Sequence, residues 1–250
     1  MKSLPTIDNM FQKIKPYQQS ESGKKQQVTQ MFNQIAKRYD ALNRLVSAGS
    51  DIRWRNKVVG IVKKHQPVNV LDVATGTGDL AIALAKTNAE QIIGLDVAKN
   101  MLEVAEQKIT KKNLLNVSMV SGDAESLPYS VNTFDAVTVS FGVRNFENLE
   151  LGLTEIQRVL KENGLLVILE TSVPAKFPFK QGYKCYTKYL MPAITLLFSK
   201  DKKAYQYLSK SANNFPSGAS FCNILEKIGF NNVKCMPQTM GVATIYVAKK

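Results

Sequence analysis

Val70–Leu80 reads V-L-D-V-A-T-G-T-G-D-L. An apolar run, Val68 to Val73, enters a turn in which Gly76 and Gly78 flank Thr77, and a helical pattern, Leu80 to Lys86, follows. The spacing predicts a buried strand, a glycine turn and a helix. Glycine suits such a turn because it accepts left-handed backbone and lets a ligand approach the main chain. Asp79 stands where the helix begins, a place that capping and the helix dipole favour for an acid. A second apolar run, Ile92-Ile93-Gly94-Leu95, ends in Asp96, twenty positions after Gly76. Together these make the layout of a Rossmann-like site, in which the acid closing the second strand takes a ribose hydroxyl pair.

Charge narrows the ligand. Gly76, Gly78 and Ala81 satisfy G-x-G-x-x-A, so a nicotinamide dinucleotide has to be weighed. A dinucleotide lays its pyrophosphate on the helix start, and here Asp72 and Asp79 bracket the loop and would repel it. S-adenosylmethionine has no phosphate and carries a sulfonium and an ammonium, so the same acids favour it. The plainer alternative for Asp79 is a helix cap and nothing more.

A chain of 250 residues suits a single domain with a sizeable core. The net charge of +13 points to an anionic partner, either nucleic acid or a membrane surface. Its plainer meaning is solubility. Cys185, Cys222 and Cys235 are widely spaced and form neither a disulfide framework nor a zinc pattern, which fits a reducing cytoplasm. No metal is expected, and the N-terminus lacks the apolar core of a signal peptide. The apolar run Leu190 to Phe198 is broken by Pro192 and is far short of the ~20 residues that span a bilayer.

In chain order, residues 1–27 read as a polar, mobile tail and 28–250 as one domain. Val28, Phe32, Ile35, Tyr39 and Leu42 recur at helical spacing. Residues 28–60 therefore read as a helical cap, with Tyr39, Asp40, Asn43, Arg44, Trp54 and Arg55 gathered in a short span. A cover helix with a solvated face is the plainer account. His65 precedes the first strand, at the wrong end to meet the glycine loop. The helix Lys99 to Lys111 turns Met101 inward, beside the candidate cofactor residues. A third strand, Val117 to Val120, leads to Asp123 and Ala124 at its C-terminal end, where ligands of open α/β sheets sit. Asp123 there suits an adenine amino group, or simply a turn. A fourth strand, Phe134 to Phe141, exits at Ser140 into G-V-R-N, so Arg144 and Asn145 are candidates to meet substrate. A fifth strand, Leu165 to Leu169, ends at Glu170.

Residues 175–216 break the alternation. Their aromatics, aliphatics and lysines read as helical pieces above the sheet's C-terminal edge, forming a lid or apolar pocket over the substrate. A packing helix pair is the alternative. Val233 to Met236 and Val242 to Ala248 complete a mostly parallel sheet of seven strands, with helices on both faces and an antiparallel edge pair.

M-F-N-Q-I-A-K-R-Y-D-A-L-N-R-L-V-S-A-G, L-D-V-A-T-G-T-G-D-L, G-D-A-E-S-L-P, S-F-G-V-R-N and R-V-L-K-E-N-G together resemble the C-methyltransferases of menaquinone and ubiquinone biosynthesis. The glycine loop marks only a class I methyltransferase; Y-D-A-L-N and S-F-G-V-R-N are far more particular. The resemblance implies a Rossmann-like fold and S-adenosylmethionine contacts at Thr77, Asp96, Asp123, Ala124 and Ser140. It also implies methylation of a polyprenylated hydroquinone. Demethylmenaquinol is the first choice and the ubiquinone-pathway benzoquinol the second. Arg144 is then an oxyanion partner, or alternatively an ion-pair partner of Glu147 or Glu170. Asn145 is a hydrogen-bonding group, and Tyr39, Asp40 and Asn43 cap the site. Thr75, Asn163 and L-E-T-S depart mildly from the family pattern.

Nucleic-acid methylation would need a base-holding motif such as N-P-P-Y, which the sequence lacks, so no nucleic-acid partner is expected. A non-catalytic cofactor-binding scaffold would not need G-V-R-N. Transient contact with an anionic inner membrane face is expected of an enzyme whose substrate has an apolar tail, and a homodimer is left open.

Overall fold

The computed structural model describes residues 14–17, 20–191 and 202–250. Seven strands form one sheet: β1 (Asn69–Val73), β2 (Gln91–Asp96), β3 (Val117–Ser121), β4 (Phe134–Ser140), β5 (Leu160–Thr171), β6 (Asn231–Gln238) and β7 (Ala243–Lys249). Their spatial order is β3-β2-β1-β4-β5-β7-β6. The first five pair in parallel, and β7 runs antiparallel between β5 and β6. Strands covered on both faces lose the apolar–polar alternation, which is why they are short unbroken apolar runs. Val70, Leu71 and Val73 are fully buried, as are Ala136, Val137 and Val139 beside them.

The helices are α1 (Lys24–Val46), α2 (Ser50–His65), α3 (Asp79–Leu84), α4 (Lys99–Lys111), α5 (Leu149–Val159), α6 (Phe179–Cys185), α7 (Lys202–Asn214) and α8 (Ala219–Ile228). Leu149, Leu153 and Ile156 of α5 pack with Phe221 and Leu225 of α8 on one sheet face. Trp54, Val58 and Val62 of α2 pack with Leu80 and Leu84 of α3 on the other. A third apolar cluster lies off the sheet. Val28, Met31 and Ile35 of α1 meet Ala98 and Met101 at the start of α4, and Ala204 and Tyr207 of α7. Met31 is wholly buried there. This cluster holds α1 and α7 beside α4, at the edge where β1–β4 end.

Three expectations change. The helix begins at Lys24, ahead of Val28, because the Lys24 N–H donates to Glu147 Oε1 at 2.8 Å and the Lys24 side chain is itself buried. The tail reading fails for its described part. Ile14 and Tyr17 pack on the third cluster, and the Tyr17 N–H donates to Gln27 Oε1 at 2.9 Å. Gln27 is buried and donates in turn to the Ser22 and Ser20 carbonyls, so one side chain satisfies three backbone groups of an otherwise polar stretch. Residues 1–13, 18 and 19 lie outside the described residues. Thirdly, β5 starts at Leu160, which pairs with Phe134 ahead of a register shift, so the R-V-L-K-E-N-G turn is a kink within the strand.

Within 175–216, α6 continues into a π-helical turn, Tyr186–Leu190, and α7 covers Lys202–Asn214. The middle of this segment, 192–201, lies outside the described residues. No described helix is long and apolar enough to cross a membrane.

Candidate active site

The chain reverses tightly at the C-terminal ends of β1 and β4. Gly76 and Gly78 have φ of +56° and +74°, so the loop after β1 requires glycine. A Cβ on Gly78 would stand 2.8 Å from the Ala105 Cβ, so this glycine also lets α3 and α4 approach. A Cβ on Gly142 would stand 2.7 Å from the Ala74 Cβ, so the loop after β4 closes directly against the loop after β1. Ala74 and Phe141, neither of them glycine, hold φ of +53° and +57° at these two exits. Left-handed backbone costs such residues of order 1 kcal/mol or more, and it persists where surrounding packing imposes it, commonly at functional sites.

A cleft of about 970 Å³, counting its open mouth, lies over these exits. From the glycine loop it is lined by Gly76 and Thr77, from β2 by Asp96, and from α4 by Met101. The loop after β3 supplies Asp123 and Ala124, β4 supplies Ser140, and the turn beyond supplies Asn145. Helix α1 closes the cleft with Tyr39, Asp40 and Asn43. The structure thus gathers most of the candidate site residues around one space. Gly78, Asp72 and Arg144 stand behind its wall.

Asp96 is oriented by two backbone N–H groups, Gly76 on Oδ2 and Ala98 on Oδ1, each at 2.8 Å. Each oxygen keeps capacity for a further donor. Burial raises its pKa above the usual carboxylate value. The Ser140 hydroxyl is buried in the wall without a hydrogen-bond partner among the described residues. An acid with spare acceptor capacity and an orphaned hydroxyl facing one cleft are what a bound nucleoside would satisfy, so the residues fit an S-adenosyl group.

Asp123 is shared with protein donors, its Oδ1 accepting the Glu125 N–H at 2.9 Å, and each oxygen keeps one lone pair for an adenine amino group. Lys25 lies 2.6 Å from its Oδ2 and 3.2 Å from Glu125 Oε2. Sequence reading missed Lys25; its one signal is the Lys24-Lys25 pair just ahead of the apolar helical pattern. Lys24 ties α1 to the turn after β4, its ammonium donating to the Phe146 carbonyl at 2.7 Å. Burial pushes the Lys24 pKa down to about 8.

The acid at the start of α3 is not bare. Asp79 does begin α3, but Lys108 pairs with it at 2.7 Å, Arg55 at 3.2 Å and Arg44 at 3.3 Å. With three cations around it, Asp79 presents no unshielded negative charge. Lys108 also binds Asp40 at 2.5 Å and the Thr77 carbonyl at 2.9 Å, and Thr77 Oγ1 donates to Asp40. Helix α1 is thereby fastened to the glycine loop.

Asp72 is sealed beneath the loop, accepting from Thr75 Oγ1 and Thr138 Oγ1 at 2.6 Å each. Burial is the largest influence on it and raises its pKa to about 6. The folded state therefore holds a proton between about pH 4 and 6 that the unfolded chain has lost, so this group's contribution to stability falls as pH rises through that window. Asp72→Asn removes the ionisation, and each threonine hydroxyl can turn to accept. Stability measured from pH 4 to 7 should show the variant gaining on wild type as pH rises from about 4 to about 6 and levelling off above, by up to ~2–3 kcal/mol in all. A gap that narrows with rising pH would mean that the ionised carboxylate is stabilising.

Arg144, in the 3-10 turn Val143–Asn145, is 6% exposed and pairs with the wholly buried Glu170 at the end of β5. Of the two acids weighed from sequence, Glu170 is its partner; Glu147 binds the N-terminus of α1. Arg144 Nε and Glu170 Oε2 are both buried and find no partner among the described residues. The guanidinium lies 6.0 Å from the Phe141 ring centroid, and its charge acts on the Tyr39, Tyr183 and Tyr207 phenols. Burial nonetheless raises the pKa of all three phenols. Tyr207 donates to Asn145 Oδ1 at 3.2 Å, and Asn145 Nδ2 to the Phe141 carbonyl at 3.3 Å, so both ends of that amide are held.

A family model for the ubiE/COQ5 methyltransferases matches residues 20–250. The chain is 45% identical over 242 residues to a demethylmenaquinone methyltransferase of Bacteroides fragilis, covering 96% of this chain and 98% of that one. It is 41% identical to the Porphyromonas gingivalis protein of the same name, with the same coverage. Among solved structures, a SAM-dependent methyltransferase of Thermotoga maritima superposes with a TM-score of 0.61 at 19% identity, covering 88% of this chain and 99% of that one. Fold and cleft define a Rossmann-like S-adenosylmethionine-dependent methyltransferase. More closely, the chain belongs to the ubiE/COQ5 methyltransferase family.

Proposed function

We propose that the enzyme methylates a ring carbon of a polyprenylated hydroquinone, converting demethylmenaquinol to menaquinol. The observation that carries this reading is the 45% identity, nearly end to end, with a demethylmenaquinone methyltransferase. The cleft supports it in that Tyr39, Asp40 and Asn43 of Y-D-A-L-N line the same space as Asn145 of G-V-R-N.

S-adenosylmethionine, when bound, supplies a methyl already activated by a sulfonium. Thr77, Asp96, Asp123, Ala124 and Ser140 hold it, with Asp96 on the ribose, Asp123 at the adenine and Met101 against the apolar wall. Asp72 and Gly78 act from behind, bracing the loop. The chain's chemical task is to make the quinol carbon nucleophilic. A phenol ionises near ~10 in water, so the site must favour its oxyanion. Arg144 carries the fixed charge for this, acting through the cleft wall behind which it is buried. It is a poor base because it stays protonated. Asn145 orients the ring hydroxyl, while Tyr39, Asp40 and Asn43 exclude bulk water and order the water that removes the proton. Residues 28–60 and 175–216 serve this unit as cap and substrate cover.

The test supplies purified protein with methyl-labelled S-adenosylmethionine and extracted demethylated quinols. Label should enter menaquinol. Cofactor binding with no labelled quinol would sink the reading.

The substrate tail brings the enzyme to a membrane. Phe177, Phe179, Tyr189 and Leu190 are exposed on and around α6, among exposed Lys176, Lys180, Lys184 and Lys188. Apolar side chains between lysines suit an anionic surface, each lysine contributing ~1 kcal/mol near it. Flotation should recover the protein on anionic vesicles and lose it as salt rises. Equal recovery on neutral vesicles at low salt would remove the electrostatic argument.

A further inference from the structure

Resting on that cofactor reading, we infer that Arg55 is the anchor for the cofactor's α-carboxylate. S-adenosylmethionine ends in an amino acid, and a carboxylate that leaves bulk water for the cleft needs a cation. Among the described residues lining the cleft, the cations are Lys25 and Arg55. Lys25 stands at the other end, on Asp123 and Glu125. Across the sheet, Asp123 follows β3, Asp96 ends β2 and the glycine loop follows β1, next to β4. With adenine at Asp123 and ribose at Asp96, the amino acid end falls on the glycine-loop side, where Arg55 pairs with Asp79 at the start of α3.

Arg55 is built for this role. Its side chain is 10% exposed and held by Asp51 and Asp79, both through the single nitrogen Nη2. Asp51 is fixed in turn by Ser47 Oγ at 2.7 Å. Nη1 and Nε have no hydrogen-bond partner among the described residues, on a side chain that lines the cleft. A guanidinium clamped at one corner with its other donors free is pre-organised for a carboxylate, which accepts two parallel N–H bonds.

Calorimetry with S-adenosylmethionine and decarboxylated S-adenosylmethionine, which differ only in that carboxylate, tests the assignment. Wild type should prefer the intact cofactor about 10- to 100-fold, the range of a charge-assisted pair. Arg55→Gln should lose that preference while binding the decarboxylated analogue about as wild type does, and Arg55→Lys should keep part of it. Equal affinity of wild type for the two ligands would overturn the assignment. So would an Arg55→Gln variant that retains the preference, or weakens both ligands alike. Wild type that binds neither ligand would instead bring down the cofactor reading on which this inference rests.

Discussion

Arg144→Gln should lower methyl-transfer turnover about 100- to 1000-fold, the usual loss when one fixed donor to a developing oxyanion is removed. Glutamine keeps polarity and approximate reach but not the charge. Cofactor affinity should hardly change, because Arg144 stands behind the cleft wall and the candidate cofactor contacts do not involve it. Part of the turnover should return at high pH, where the quinol ionises unaided. The Glu170 pairing complicates the reading, since the same substitution strips a buried carboxylate of its cation. Turnover must therefore be measured on folded protein, below the variant's own melting transition. Wild-type turnover in a variant that merely melts early would assign Arg144 to structure.

Much of this site could be read from sequence because its parts are local. The glycine loop follows its strand within a few residues, and Asp96 closes the next strand, so neither needs tertiary information. Met101 lies on a helix with inward periodicity, and Ser140 and Asn145 lie at one strand's exit. The buried parallel strands announce themselves as apolar runs; β6, mostly exposed at the sheet edge, was harder to bound. What the sequence hid is long-range pairing. Lys25 reaches Asp123, and Trp54 Nε1 donates to Thr239 Oγ1 at 2.8 Å, across separations that no periodicity encodes. The strap of Ile14 and Tyr17 was masked by its lysines and glutamines, because one buried Gln27 supplies the polar partners that an apolar stretch would not need. Asp79 misled for the same reason. It reads as a bare acid beside the loop, and three cations from α1, α2 and α4 gather on it in the fold. The choice of Glu170 over Glu147 fits the sheet: β4 pairs with β5 so that Ser140 faces Leu169, and the turn after β4 that carries Arg144 therefore starts beside Glu170.

Glu170→Gln should destabilise the protein by about 3–5 kcal/mol, the cost of leaving one member of a buried ion pair without its counter-charge. Glu170 Oε1 takes the Arg144 bond together with the Thr171 N–H at 2.7 Å and the Thr171 hydroxyl at 3.1 Å. Its Oε2 and Arg144 Nε stay unsatisfied among the described residues, so the pair as it stands is incompletely hydrogen-bonded. Two buried charges with unmet hydrogen-bonding capacity contribute little net stability, because desolvation offsets their attraction. It follows that the doubly neutral variant, Arg144→Gln with Glu170→Gln, should recover most of the stability lost by either single change, while its turnover stays as low as that of Arg144→Gln alone. A pair kept for catalysis separates the two readouts in this way; a pair kept for the fold does not. The measurement is a double-mutant cycle in denaturant-derived stability and in turnover on the same four proteins. A double variant less stable than both singles would show that the pair is held for the fold, and would leave the charge on the quinol without its assigned source.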